Sequence, residues 1–163
     1  MKKFNKRIIT IIIPRHINRS SEIINDMNKL GLKTIAHTSN QKLKIDTDIY
    51  LVDSYGISSK FYSLTNVAFV GGSLIAHGGQ NPLEPARFGN FIINGPHVDN
   101  FKEIYFFLKK NKMSSTTSSI LKMEQVIIKE LNHKNNEQNI NKITKIGKQI
   151  LDKNLFYINK YLT

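Results

Sequence analysis

Gly71-Gly72-Ser73-Leu74-Ile75-Ala76-His77-Gly78-Gly79-Gln80-Asn81-Pro82-Leu83-Glu84-Pro85-Ala86 is the stretch whose reading decides the fold. The apolar run before it, Val67-Ala68-Phe69-Val70, has the content of a short buried strand. At its far end Asn81-Pro82-Leu83-Glu84 reads as a helix start. Asn81 is the cap, Pro82 takes the first helical position, and Glu84 sits where a capping box places its carboxylate. Gly71, Gly72, Gly78 and Gly79 lie between the two. A strand, a glycine-rich loop and a helix N-terminus, in that order, can offer backbone N–H groups to an anion. The ligand is expected here.

Strands and helices alternate on both sides of this loop. Upstream, Ile8–Ile13 is strand-like, and Ser20 or Ser21 can cap a helix running to about Leu30, with Gly31 ending it. Leu32–Ala36 and Ile49–Val52 read as two more strands, and Gly56–Leu64 as a short helix. Downstream, a helix from Pro82 to about Phe88 stops at Gly89, followed by a strand at Phe91–Asn94 and a helix at Asn100–Lys110. This repetition predicts an α/β fold, a Rossmann-like parallel sheet with helices on both faces. Ser114–Ser119 is a polar break with helix-capping potential. Beyond it Leu121, Val126, Ile127, Leu131, Ile140, Ile143, Ile150, Leu151 and Ile158 recur at helical spacing. Residues 114–163 are therefore expected to be a mainly helical tail, with His133–Asn139 joining two helices. No internal repeat is visible, and 1–163 reads as one domain.

Bulk properties exclude several classes. With 163 residues and 40% hydrophobic content the chain can bury a core of its own. No apolar run is long enough to span a bilayer. Met1–Arg7 is basic like a signal peptide, but the apolar run after it is too short and meets Pro14 without a cleavage site. The absence of cysteine removes disulfides and thiolate metal sites and fits a cytoplasmic setting. The net charge of +12 is mostly lysine, spread along the chain and not interleaved with aromatics. That pattern argues against a nucleic-acid partner and for a generally basic, membrane-tolerant surface.

Arg15 and His16 follow a strand directly, at the edge where parallel sheets bind ligands. Arginine there can grip a phosphate bidentately, and a solvated loop pair is the plain alternative. Asn81 and Glu84 can be a capping box and nothing more, or Glu84 can also accept from the vicinal hydroxyls of a ribose. His77 has no carboxylate neighbour and reads as a loop hydrogen-bonder. The five histidines lack a metal-binding pairing, so no metal is expected, and no serine has a nucleophile-elbow setting.

Taken together, Pro14-Arg15-His16, Asp53-Ser54-Tyr55-Gly56, Phe69–Leu74, His77–Ala86, Gly95-Pro96-His97 and Asn100-Phe101 resemble a known series. It is that of the C-terminal domain of the lipid A-specific Kdo transferases. These enzymes add 3-deoxy-D-manno-octulosonic acid from CMP-Kdo to the lipid A precursor of lipopolysaccharide. The likeness runs from about Ile8 to Leu108 in order and spacing, and the tail beyond Ser114 matches only in helical texture.

The resemblance implies the C-terminal half of a GT-B glycosyltransferase, the half that holds the nucleotide sugar. Carried over residue by residue, the CMP contacts are Pro14, Arg15, Tyr55, Gly56, Ile57, Asn81, Pro82, Leu83 and Glu84. An arginine and a helix N-terminus would stabilise the departing phosphate, with no metal or other cofactor. Two departures stand out. Ile57 replaces an acidic residue usual in the family. The acceptor-binding half, with its membrane anchor and general-base glutamate, has no counterpart, nor has the opening strand of the C-terminal domain. That strand would lie near the middle of the sheet, so its absence is expected to leave two inner strand edges. The implied picture is an N-terminally truncated product of a split or decaying gene with no catalytic residue of its own. It would bind CMP-Kdo and depend on a separate N-terminal half for the lipid A precursor and the general base. Peripheral association with the cytoplasmic face of the inner membrane goes with it. The alternative is a non-catalytic remnant or bare nucleotide-binding module. A relative using another nucleotide sugar is disfavoured by the Gln80–Pro85 run.

Overall fold

A computed structural model describes residues 8–132 and 136–162, so the basic opening Met1–Arg7 and His133–Asn135 of the expected connection lie outside it. The chain divides into two compact units, one up to Phe61 and one from Tyr62.

The first unit contains β1 (Thr10–Ile12), α1 (Ser20–Lys29), β2 (Thr34–Ala36) and β3 (Ile49–Leu51). The strands are parallel in the order β1-β3-β2, with Thr10 and Thr34 both opposite Ile49. Alternation along β3 buries Ile49 and Leu51 while Tyr50 faces the other way, against His37 and Phe61 at ring separations of 5.9 and 5.6 Å for the His37–Tyr50 and Tyr50–Phe61 pairs. Ile35 and Val52 complete the buried apolar set. At the start of α1 the structure departs from expectation. Arg19 is the N-cap, and the Ser20 hydroxyl donates back to the Ile17 carbonyl (2.6 Å) instead of capping. Gly31 ends the helix as foreseen, in the left-handed region at φ 72°. A short helix, α2 (Ser58–Tyr62), carries the boundary between the units.

The second unit contains β4 (Val67–Phe69), α3 (Leu83–Arg87), β5 (Phe91–Asn94), α4 (Lys102–Lys110), β6 (Ser114–Thr116), α5 (Ile120–Leu131) and α6 (Asn136–Leu162). Its strands are parallel in the order β4-β5-β6. Central β5 is covered on both faces, with Ile92 and Ile93 fully buried, as a parallel strand requires. Ala86, Ile92, Leu108 and Met113 form the centre of the core with Val70 and Tyr105, and Ile143 of α6 packs against it. The start of α6 is tied to the corner after α3. Asn139 Nδ2 donates to the Gly89 carbonyl (3.0 Å) and Asn136 Nδ2 to the Thr65 carbonyl (3.0 Å).

Ser114–Thr116 is a strand, where the sequence pointed to a polar break. Backbone pairing with β5 and the buried Met113 just before it hold this polar stretch in place. The capping role foreseen nearby is real, because Ser119 accepts from the Lys122 amide at the start of α5. Strand–helix alternation and parallel pairing throughout make this the α/β fold the pattern predicts. Its strands form two three-stranded sheets, with β1 at one edge of the first and β4 at one edge of the second.

Candidate functional site

In the first unit the in-register pairing of β1 with β3 brings two of the candidate segments to one sheet edge. Ile12 is opposite Leu51, and the Val52 amide donates to the Ile12 carbonyl (2.9 Å). Pro14-Arg15 and Tyr55-Gly56-Ile57 therefore both leave from C-terminal strand ends, where an open parallel sheet binds ligands. Arg15, Tyr55 and Gly56 are exposed, and Pro14 and Ile57 are half-buried. Gly56 has φ 79°, a conformation glycine adopts without strain, and the space a side chain would fill is open. Asp53, which heads this loop, accepts from the Thr38 amide (3.0 Å) and the Thr38 hydroxyl. Burial acts to raise its pKa, but the two bonds from Thr38 outweigh it and hold the carboxyl below its ordinary value.

In the second unit the glycine-rich loop leaves the C-terminal end of β4 and is pinned to the connection that leaves β5. Ser73 is the pin. Its buried hydroxyl donates to the Val70 carbonyl (2.7 Å) and accepts from the Gly95 amide (2.8 Å), while its carbonyl accepts from the His97 amide (2.9 Å). Further along, the Asn100 amide donates to the Gly78 carbonyl (3.1 Å), and the Tyr105 hydroxyl donates to the Gln80 carbonyl (2.9 Å). Burial pushes the Tyr105 phenol pKa upward, so it stays a donor. Gly95 shows how close the two segments run, since a Cβ there would stand 2.1 Å from the Ser73 carbonyl oxygen.

The expected anion cradle is altered in two respects. The amides of Gly79 and Gln80 donate within the loop, to the carbonyls of Gly72 (3.0 Å) and Gly71 (3.1 Å). The helix after the loop is only five residues long, with Pro82 at the N-cap position. Asn81, expected to be the cap, lies one residue before that position, and its Oδ1 accepts from the Leu83 amide (3.0 Å). The Gly79 and Gln80 amides are thus used within the loop, and a helix this short carries little dipole. Asn81, Leu83 and Glu84 are exposed while Pro82 is buried, which anchors the turn and leaves the carboxylate accessible. Glu84 lies near enough to Tyr62 for its charge to add to burial in raising that phenol's pKa.

His77 uses its backbone: its amide donates to Ile75 (2.7 Å) and its carbonyl accepts from Asn100 (3.4 Å). Tyr105 is the residue that sequence reasoning missed. It reads as an ordinary aromatic on the apolar face of α4, and nothing in its spacing marks the hydroxyl's partner. Among the described residues no three His, Asp or Glu side chains are grouped as metal ligands.

A parallel α/β domain that holds a glycine-rich loop and an Asn-Pro-Leu-Glu turn at the C-terminal sheet edge has the build of the C-terminal half of a GT-B glycosyltransferase. No family model matches the chain. It is 37% identical over 101 residues to the 3-deoxy-D-manno-octulosonic acid transferase of Haemophilus influenzae, covering 62% of this chain and 24% of that protein. It is 31% identical over 170 residues to the enzyme of that name from Rickettsia bellii, covering 99% of this chain and 40% of that protein. Among solved structures it is similar to the C-terminal CMP-Kdo binding domain of WaaA from Acinetobacter baumannii. The TM-score is 0.79 at 27% identity, over 89% of this chain and 76% of that one. This chain is homologous to the C-terminal domain of the Kdo transferases, and it spans less than half the length of these full-length relatives.

Proposed function

We propose that this chain is the donor-binding portion of a Kdo transferase, with CMP-Kdo as its ligand. The observation that carries the reading is the pinned Gly71–Glu84 loop at the C-terminal edge of a parallel sheet, in a chain similar along most of its length to a CMP-Kdo binding domain. In this reading Pro14, Arg15, Tyr55, Gly56, Ile57, Asn81, Pro82, Leu83 and Glu84 contact CMP. When Kdo leaves the donor, the bond between the sugar and the phosphate oxygen breaks and charge accumulates on CMP. The Arg15 guanidinium meets that charge bidentately, without a metal. The Glu84 carboxylate accepts from the ribose hydroxyls and so selects a ribonucleotide. Ile57, with no polar group, leaves the nucleotide one contact fewer than the acidic residue usual there. The general base and the site for the lipid A precursor belong to a separate N-terminal half. The assembled enzyme works at the cytoplasmic face of the inner membrane, with this part attached peripherally.

Calorimetric titration of CMP into the purified chain, with UMP as control, tests the donor site. Saturable binding that prefers CMP is expected. Arg15→Ala and Glu84→Ala should each weaken it about tenfold or more, since each removes hydrogen bonds involving a charged group. Circular dichroism should show both variants folded, because Asn81 rather than Glu84 accepts from the Leu83 amide. CMP affinity that survives both changes refutes the assignment. A folded chain indifferent to CMP supports a remnant instead.

A further inference from the structure

Bonds to the chain after β5 fasten the glycine-rich loop in sequence order: Ser73 to Gly95 and His97, His77 and Gly78 to Asn100, and Gln80 to Tyr105. The Tyr105 bond comes last, immediately before the turn at residues 81–84. The carbonyl that accepts it belongs to the peptide unit joining Gln80 to Asn81, a rigid plane whose other end is the Asn81 nitrogen. The Gln80 amide is held as well, by the Gly71 carbonyl (3.1 Å). Gln80 is thus gripped through both backbone groups, one from the start of the loop and the other from α4. Little freedom remains between there and Glu84. Pro82 is buried, and its ring limits rotation at its own φ and at Asn81 before it. Asn81 Oδ1 accepts from the Leu83 amide (3.0 Å), and the Pro82 carbonyl from the Ala86 amide (3.1 Å). The orientation of the Gln80 carbonyl is therefore passed along the turn to the backbone that carries Glu84.

The Tyr105 ring belongs to the core with Val70, Ala86, Ile92, Leu108 and Met113, and the residue is 4% exposed. A phenylalanine would fill that space as well, so packing does not account for the hydroxyl. Once buried, a hydroxyl needs a partner, and the partner it has is a loop carbonyl. Burial raises the phenol's pKa, which keeps the proton on the oxygen, and a carbonyl can only accept. We infer that Tyr105 is a positioning residue of the donor site, whose hydroxyl acts through the Gln80 carbonyl to hold the 81–84 turn where it presents Glu84 to the ribose. The inference deepens the donor-binding reading and rests on it. Buried as it is, Tyr105 acts on the nucleotide through the turn and not by contact. A turn ordered beforehand spares the ligand the cost of ordering it.

The test is Tyr105→Phe in the full chain, read by amide hydrogen exchange and by CMP titration. The variant keeps the ring and should fold, which circular dichroism checks. Without ligand, the Gln80 and Leu83 amides, which donate to Gly71 and Asn81, should exchange about threefold faster or more. The Ile92 amide, which donates to the Met113 carbonyl in the core, should change less. Equal acceleration at all three would be a general loss of stability and would overturn the inference. CMP binding should weaken about fivefold, the worth of one neutral hydrogen bond. In a Glu84→Ala background most of that loss should vanish, because the group through which Tyr105 acts is gone. Full additivity of the two changes would overturn the inference, as would unchanged CMP affinity in a folded Tyr105→Phe chain when Glu84→Ala alone weakens binding. A Tyr105→Phe chain that does not fold would make the hydroxyl a requirement of the fold and overturn the positioning role. If the native chain ignores CMP, the donor reading falls, and the exchange rates still decide whether Tyr105 holds the turn.

Discussion

The two candidate clusters leave from equivalent places, the C-terminal edge of a three-stranded parallel sheet, yet they are built in opposite ways. The loop after β4 is held by the Ser73 hydroxyl, by the Gly78 and Gln80 carbonyls, and by a glycine opposite it with no room for a methyl group. On the segments after β1 and β3, Asp53 is tied to Thr38, and Gly56 faces open space. The difference separates a preorganised platform from a pair of adjustable arms. A platform fixes the geometry of whatever rests on it at low entropic cost, whereas arms can follow a ligand.

Exchanging glycine for alanine in each loop is the sharpest way to break that comparison. Gly95→Ala should cost about 3 kcal/mol or more, or prevent folding of the second unit, because backbone at 2.1 Å cannot step aside cheaply. Denaturant unfolding measures it. Ser73→Ala comes next at about 2 kcal/mol, since it strips a buried amide of its acceptor. Gly56→Ala should cost only about 1 kcal/mol, all of it from the left-handed backbone. Equal losses at Gly95 and Gly56 would abolish the distinction. The smallest effect concerns acid. The folded-state pKa of Asp53 is depressed, so its contribution is present above about pH 4 and is lost as pH falls through the lower folded value. Asp53→Asn should therefore flatten part of the acid loss in urea midpoint, and an unchanged acid profile would show that the Thr38 tie is immaterial.

The sequence revealed where the loop is but not how it is fastened. Glycine spacing and the Asn-Pro-Leu-Glu turn mark the loop, and β5 falls on Phe91–Asn94 as read, because local pattern and burial agree there. The fasteners do not show. Ser73 to Gly95 spans 22 residues and Tyr105 to Gln80 spans 25, so no local pattern records them. The inward bonds of the Gly79 and Gln80 amides are hidden for the same reason, since glycine spacing does not say which donors a loop spends on itself. Strand β6 was invisible because its three residues are Ser-Ser-Thr, and their place is set by β5 beside them. Arg15 and Tyr55 were legible as candidates, and only the β1–β3 register shows that they share an edge.

The corner at Gly89 has a consequence in time. Asn136 and Thr65, 71 residues apart, meet there, and a methyl group on Gly89 would stand 2.3 Å from the Asn136 carbonyl oxygen. During synthesis, β4, the glycine-rich loop and α3 all emerge before the residues that close against them exist. Until Asn139 has been made, the Gly89 carbonyl waits without its donor and α3 lacks the helix that covers it. The second unit is therefore begun well before it can be closed. During that interval its strands are open to pairing with the wrong neighbour.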